Sequence, residues 1–227
     1  PFDKFADDNN HLSPQMKATG EVMSVGRTFE ESLLKAVRSL EIGANHLYLP
    51  KFDTWSREEL LDYVAIGTDD RIFAIAQLLR LGCAPEEIGA VTKIDAFFLR
   101  KLQKIIFKER SLLTEPKTVE ALYQAKRMGF GDKAIARLWH TGEKEIFSMR
   151  QRAGIMPVFK MIDTCASEFE SYVPYFYSTY EEENESRPSD KKKIVVLGAG
   201  PIRIGQGVEF DYSTVHAVMT IKKAGYE

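Results

Sequence analysis

A glycine-rich turn carries the strongest chemical signal in this sequence. Its glycines are Gly198, Gly200, Gly205 and Gly207. Without side chains, they would let the backbone approach a ligand closely, and the free N–H groups of a following helix would face an anion. The spacing fits neither standard phosphate-binding pattern, because Arg203 stands where the dinucleotide fingerprint has glycine or alanine, and Gln206 stands where a phosphate loop has lysine. The pattern disfavours a plain dehydrogenase or P-loop ATPase and leaves a ligand-lining loop and a structural turn as alternatives.

The other candidate residues form no catalytic or metal-binding constellation. The four histidines share no ligand spacing, so no metal bound by this chain is predicted. They are His11, His46, His140 and His216. The acidic run 181–183 is typical of a solvated linker. The aromatic residues within 172–180 are more typical of interface packing than of a base-stacking platform.

Basic residues between 118 and 152 raise the alternative of a DNA-binding helix-turn-helix. They are Lys126, Arg127, Lys133, Arg137, Lys144, Arg150 and Arg152. Their charges occupy several predicted helix faces, and Asp132, Glu143 and Glu145 interrupt them. No nucleic-acid partner is therefore expected.

The composition is that of a globular protein able to bury a core. The 227 residues are 44% hydrophobic and 28% charged, and this length accommodates one large domain or two smaller ones. A net charge of −2 gives no global attraction to nucleic acid or to anionic membranes. Cys83 and Cys165 are far apart and suggest no disulfide framework, and no apolar run reaches the roughly 18 residues of a membrane helix. We expect a cytoplasmic protein without membrane contact, and the missing initial methionine predicts an internal fragment.

Periodicity divides the chain into four predicted regions. Residues 1–27 lack a period and are expected to be irregular chain with a short strand. Residues 28–154 repeat short amphipathic helices, each opened by a capping residue and closed by a glycine or a turn. Residues 155–192 are predicted to be an extended connector and linker, and residues 193–227 switch to a strand, the glycine-rich turn and a helix. The predicted fold class is mainly α, with an all-helical domain followed by an incomplete, Rossmann-like α/β unit.

Particular residues are predicted to begin or to form these elements. Residues 28–31 and 56–59 have the capping-box pattern, and Asp95 is predicted to cap the longest helix. Near the C-terminus, a buried strand is predicted over 193–197 and a helix over 212–224. The predicted apolar side of the longest helix consists of Phe98, Leu102, Ile105 and Ile106.

Four longer segments are distinctive enough to compare with known families. They are GAGPIRIGQGVEFDY at 198–212, QMKATGEVM at 15–23, IDTCASEF at 162–169 and IDAFFL at 94–99. Together they resemble the large subunit of carbamoyl phosphate synthetase. The segment at 198–212 is similar to the start of its second half, and the segment at 15–23 to the end of its first ATP-grasp unit. The segment at 162–169 is similar to the stretch after its helical middle, and the segment at 94–99 to a signature of that middle. In the last of these, a Trp-Phe pair is common where this chain has Ala96 and Phe97.

The resemblance implies an enzyme with two homologous ATP-grasp halves that use two MgATP, with Mg or Mn as the metal. In that family one half phosphorylates bicarbonate, ammonia from glutamine then gives carbamate, and the other half phosphorylates carbamate. Carbamoyl phosphate serves arginine and pyrimidine biosynthesis, and a glutaminase small subunit is the partner. By the same resemblance, 1–27 would end the first ATP-grasp unit, 28–154 would mediate oligomerisation by self-association, and 193–227 would begin a pre-ATP-grasp domain.

The resemblance also implies a few site residues. Those similar to a stretch lining an internal carbamate passage are Gly205, Gln206, Gly207 and Glu209. Gly207 would keep the bore open, and Glu209 would place a carboxylate beside a polar intermediate. From the residues alone, a surface or helix-start carboxylate favoured by the helix dipole is the preferred interpretation of Glu209. Lys17 and Glu21 would lie near the first ATP-grasp site.

No catalytic residue and no cofactor is expected within the chain itself, and the fragment alone is predicted to be inactive. Two other classes stay open from the residues alone. The first is a free-standing helical interaction module whose glycine-rich turn only packs. The second is the helical nucleic-acid-binding protein considered above.

Overall fold

The computed structural model describes residue 14 and the ranges 20–165, 168–169, 175–198, 202–203 and 209–227. Most of the described chain is helical, and the helices from α1 to α8 form one domain around a common core. The helices are α1 (Phe29–Ser39), α2 (Arg57–Ala65), α3 (Arg71–Arg80), α4 (Pro85–Thr92), α5 (Ala96–Thr114), α6 (Val119–Arg127), α7 (Asp132–Leu138), α8 (Glu143–Arg152) and α9 (Glu209–Lys223). The strands are β1 (Gly20–Glu21), β2 (Val158–Met161), β3 (Phe176–Thr179) and β4 (Ile202–Arg203). The predicted fold class is confirmed.

The start of α1 shows half of its predicted capping box. The Thr28 hydroxyl accepts the Glu31 backbone N–H at 3.2 Å, as expected. The Glu31 carboxylate, however, accepts the backbone N–H of Arg27 at 2.8 Å instead of that of Thr28. It also pairs with Lys35 one turn later, at 2.8 Å. Glu31 therefore ties the chain before α1 to the helix.

The two other predicted helix starts are confirmed. The Ser56 hydroxyl accepts the Glu59 N–H at 3.2 Å, and the Glu59 carboxylate accepts the Ser56 N–H at 2.7 Å, which completes a capping box for α2. Asp95 accepts the backbone N–H of Phe97 at 2.8 Å and caps α5, the longest helix of the described chain. Helix α4 lacks such a polar cap and begins instead with Pro85, and the capping patterns did not indicate it.

Helix α5 passes through the core of the helical domain. Its side chains Leu99, Leu102, Ile105 and Ile106 are buried, at 0–4% exposure. Leu34 of α1 is also fully buried in the same cluster. The prediction was wrong for one residue of the apolar side, because Phe98 is 46% exposed. Phe98 lies in the first turn of α5, where its ring contacts the ring of Phe29 at the start of α1 instead of the core.

Strands β2 and β3 form an antiparallel hairpin after the helical domain. Val158 pairs with Thr179, and Met161 pairs with Phe176. The predicted extended aromatic stretch supplies β3, while Tyr172 of that stretch lies outside the described residues. Tyr180, directly after β3, packs against the core of the helical domain and anchors the hairpin there.

The C-terminal α/β unit is only partly formed among the described residues. Helix α9 begins three residues before the predicted start and is followed by Gly225 at φ 86°. The predicted buried strand at 193–197 is not present as a strand, and its side chains Val195 and Leu197 are 83% and 86% exposed. The Glu227 backbone donates to Lys192 at 2.9 Å and accepts from Ile194 at 2.8 Å, as in one rung of a parallel ladder. A strand needs consecutive hydrogen-bonded pairs, and this single pair does not make residues 193–197 a strand.

Candidate functional site

The predicted carbamate-passage residues are mostly outside the described part of the chain. Gly205, Gln206 and Gly207 lie there, as does Lys17. Glu209 is the first residue of α9, and a carboxylate at that position is favoured by the helix dipole. The roles assigned to these residues stay predictions.

The backbones of two predicted site segments are brought together by a short antiparallel pairing. Strand β1, which contains Glu21, pairs with β4 inside the glycine-rich turn. Gly20 is opposite Arg203, and Glu21 is opposite Ile202. The end of the predicted first ATP-grasp segment therefore lies beside the start of the second half, a neighbourhood that the linear sequence does not indicate.

A group of buried charges surrounds Asp132, the first residue of α7. Lys126 Nζ lies 2.7 Å from Asp132 Oδ1, and Arg150 makes two hydrogen bonds to Oδ2, at 2.9 Å from Nε and 2.7 Å from Nη2. Lys126 and Arg150 are only 5% and 7% exposed. Burial by itself raises the pKa of Asp132, but the hydrogen bonds from Arg150 and Lys126 outweigh it and lower the pKa. Asp132 is therefore ionised, and both cations share its charge.

The turn between α6 and α7 is held close to α1 by a glycine. Gly129 has φ +96°, and a Cβ atom there would lie 2.7 Å from the Cα of Glu31. The Gly129 carbonyl accepts a hydrogen bond from Arg38 Nη1 at 2.6 Å. Only glycine combines this backbone conformation with this close approach, and the approach places Arg38 of α1 near Asp132.

Tyr180 closes this group of charges from the side of the hairpin. Lys126 Nζ lies 4.9 Å from the centre of the Tyr180 ring, and Arg150 Cζ lies 5.7 Å from it. A cavity of about 430 Å³ opens beside these side chains. We call this cavity, with Arg38, Lys126, Asp132, Arg150 and Tyr180, the charged pocket.

A second buried network lies elsewhere in the helical domain. Glu109 accepts hydrogen bonds from His46 Nε2 at 2.7 Å and from Arg80 Nε at 2.7 Å, and Arg80 also donates to the Leu47 carbonyl at 2.6 Å. Burial by itself raises the pKa of Glu109, but the bonds from Arg80 and His46 outweigh it and hold the pKa at about 2. Because the carboxylate is ionised and can only accept, His46 donates from Nε2. Every charged group of this network is paired within the protein, which indicates a structural role.

Three aromatic rings form an exposed patch where α1 and α5 begin. The Phe97 and Phe98 rings lie 5.3 Å apart, and Phe29 lies 6.3 Å and 5.6 Å from them. Phe97 is 52% exposed. We call these three residues the aromatic patch. Large aromatic side chains grouped on a surface are typical of association sites.

The structure weakens the helix-turn-helix alternative. Lys126 and Arg150 are buried in ion pairs with Asp132, and Arg137 lies over the ring of Tyr48 at 4.1 Å. These cations do not form the single exposed basic stripe that a DNA site requires. Within the described ranges no group of three or more His, Cys, Asp or Glu side chains could hold a metal ion. No described helix is both long and apolar enough to cross a membrane.

Comparison with known families gives two matches, one over the helical domain and one over the C-terminal residues. The family model of the carbamoyl-phosphate synthetase large chain, oligomerisation domain, matches residues 21–154. The model of the carbamoyl phosphate synthase preATP-grasp domain matches residues 190–227. The fold is thus of the class in which a helical oligomerisation domain precedes the start of an α/β domain. The chain belongs to the carbamoyl-phosphate synthetase large-chain family, whose members are ligases.

The charged pocket was missed by reasoning from the sequence. Lys126 and Arg150 were noticed only as basic residues, and Asp132 only as an interruption among them. Arg38 carried no signal beyond its place on a helix. A partly buried aspartate between two buried cations is visible only once helices α6, α7 and α8 are packed together.

Proposed function

We propose that this chain is an internal segment of a large subunit that makes carbamoyl phosphate, and that its helical domain joins copies of that subunit. The match of residues 21–154 to the family's oligomerisation domain carries this proposal. The intact enzyme would use bicarbonate, ammonia released from glutamine by a glutaminase small subunit, and two MgATP, with Mg or Mn as the metal. It would act in the cytoplasm in arginine and pyrimidine biosynthesis.

We infer that the aromatic patch is part of the surface by which two copies associate. Phe97 exposes half of its side chain to water, and the neighbouring rings of Phe29 and Phe98 extend the apolar area. Burial of such area contributes roughly 25 cal/mol per Å². Aromatic side chains also supply much of the binding energy at interfaces.

Sedimentation velocity of the 227-residue chain tests this surface. The wild-type chain is expected to shift from monomer to a larger species with rising concentration, and Phe97→Ser is expected to weaken association about tenfold or more. Val119→Ser is the control, because Val119 is exposed to a similar degree, 47%, at the start of another helix. A monomer at every concentration, or equal weakening by both substitutions, would contradict the assignment.

The glycine-rich turn is proposed to line the carbamate passage of the intact enzyme. The match of residues 190–227 to the preATP-grasp domain supports a role in the second half. Gly207 would leave room for the intermediate, and Glu209 at the start of α9 would accept a hydrogen bond from it. The chain alone is proposed to be inactive.

A further inference from the structure

The charged pocket is lined by more basic than acidic side chains. The basic ones are Lys35, Arg38, Lys126, Lys133 and Arg150, and the acidic ones are Glu31, Asp132 and Glu143. Lys126 and Arg150 both pair with Asp132, so one carboxylate serves two buried cations. Arg38 faces the same cavity and has no carboxylate within ion-pair distance in the described part of the chain. Glu31, which also lines the cavity, already pairs with Lys35 at 2.8 Å. Burying cations without matching anions is unfavourable, and a bound anion would remove that penalty.

The pocket also offers hydrogen-bond donors that no described residue uses. Arg38 donates to the Gly129 carbonyl through Nη1, and its Nε and Nη2 groups have no acceptor within the described ranges. The Tyr180 hydroxyl has no hydrogen-bond partner there either. Burial raises the pKa of Tyr180, so its hydroxyl stays protonated and can donate. Among the described residues, Lys126 Nζ makes one hydrogen bond, to Asp132, and it has further N–H groups.

These donors come from different sides of the cavity. Arg38 belongs to α1, Lys126 to the last turn of α6, and Tyr180 to the chain after β3. Donors contributed by three separate segments around one cavity suit the tetrahedral oxygens of a phosphate group, and guanidinium groups match its geometry well. A volume of about 430 Å³ accommodates a phosphate or a small molecule that carries one.

We propose that the charged pocket binds a phosphate group, held by Arg38, Lys126 and the Tyr180 hydroxyl. The group is either free inorganic phosphate or the phosphate of a small metabolite. It would lie between the helical domain and the hairpin, and it would therefore tie Tyr180 to α1 and α6. This site does not depend on the proposed function, since it uses none of the residues assigned to association or to the carbamate passage.

Calorimetric titration of the 227-residue chain with inorganic phosphate tests the site, at an ionic strength kept constant with sodium chloride. One phosphate is expected to bind per chain. Tyr180→Phe is expected to weaken binding about 2- to 10-fold, because it removes one neutral donor. Arg38→Met is expected to weaken it about 10-fold or more, because it removes a charged donor. Arg57→Met is the control, since Arg57 pairs with Glu87 at an exposed site and is expected to change nothing.

Two further features keep the test decisive. Arg38→Met also removes the hydrogen bond to Gly129 and can impair folding. Tyr180→Phe removes a hydroxyl that has no hydrogen-bond partner among the described residues, and this variant should fold normally. A parallel titration with ribose 5-phosphate distinguishes the sources: tighter binding of the sugar phosphate indicates a metabolite, and tighter binding of phosphate indicates the free ion. Absence of saturation at millimolar concentrations of both, or equal binding by wild type and Tyr180→Phe, would overturn the proposal.

Discussion

Glu109 accepts hydrogen bonds from Arg80 and His46 in the interior of the helical domain, and this arrangement couples stability to pH. Its pKa falls from 4.5 to about 2 on folding, so the unfolded chain binds the proton more readily. A pKa difference of this size between the folded and unfolded states corresponds to roughly 3 kcal/mol of unfolding free energy. Burial also lowers the pKa of His46, so the folded protein holds this side chain neutral. The resulting contribution to stability is likewise lost on acidification, and the loss begins below the ordinary pKa of 6.5.

The free energy of unfolding is therefore expected to fall as the solution is acidified. The loss due to His46 begins below about pH 6.5, and the loss due to Glu109 runs from about pH 5 towards pH 2. Urea unfolding at a series of pH values measures it. Glu109→Gln removes the titrating carboxylate, so its stability should vary less between about pH 5 and pH 3 than that of the wild type. Identical slopes for both proteins would show that Glu109 is not the group responsible.

At the scale of secondary-structure elements, Gly129 sets the distance between α1 and the turn that joins α6 to α7. A methyl group there would meet the Glu31 backbone at 2.7 Å, and backbone atoms cannot move aside as a flexible side chain can. The same turn carries the carbonyl that binds Arg38. The packing of α1 against α6 and α7 therefore depends on the absence of a side chain at Gly129.

Gly129→Ala is expected to destabilise the chain by more than about 2 kcal/mol, from the strain of its positive φ and from the clash with Glu31. Gly82→Ala is the matched control: its φ is +85°, but nothing lies within 4 Å of the added methyl group. The control should cost only about 1 to 2 kcal/mol. Chemical denaturation of the two variants measures the difference. Equal losses would mean that the turn moves away from α1 without penalty.

Most helix boundaries could be predicted because their signals are local. Ser56 with Glu59 and Asp95 cap their helices through contacts within a few residues, which the sequence displays directly. Helix α4 was not predicted, since it begins with Pro85 in place of a polar cap and is only eight residues long. Phe98 followed the apolar period of α5 but lies beyond the edge of the core, and the period of a helix does not reveal where its burial ends.

At the scale of the whole molecule, resemblance identified the family, but the contacts between regions could not be predicted. The pairing of β1 with β4 and the packing of Tyr180 on Lys126 join parts that are remote in sequence. Neither strand is long enough to show a period of its own. Ion pairs such as Lys126 with Asp132 also depend on how neighbouring helices cross, which local patterns do not specify.

The proposed carbamate passage would belong to the intact enzyme, so its test requires that enzyme. Gly207→Leu in the intact large subunit, with its glutaminase partner, is expected to abolish most carbamoyl phosphate formation while bicarbonate-dependent ATP hydrolysis continues, because the side chain would narrow the bore. Gly207→Ala should have a smaller effect. The 227-residue chain alone should form no carbamoyl phosphate. Turnover by that chain, or equal activity of Gly207→Leu and wild type, would refute the respective assignment.

The residues of the charged pocket are synthesised in an order that affects when a ligand can bind. Lys126, Asp132 and Arg150 all precede Tyr180, so a ribosome completes the three charges before the residue that covers them. At about 5 to 20 residues per second, several seconds can pass between the synthesis of Arg150 and that of Tyr180. Since residues leave the ribosome in the order of their synthesis, a similar interval separates their emergence, and the pocket would be open to solutes until Tyr180 follows. A phosphate could enter before the hairpin closes, and the nascent chain would then acquire its ligand during synthesis.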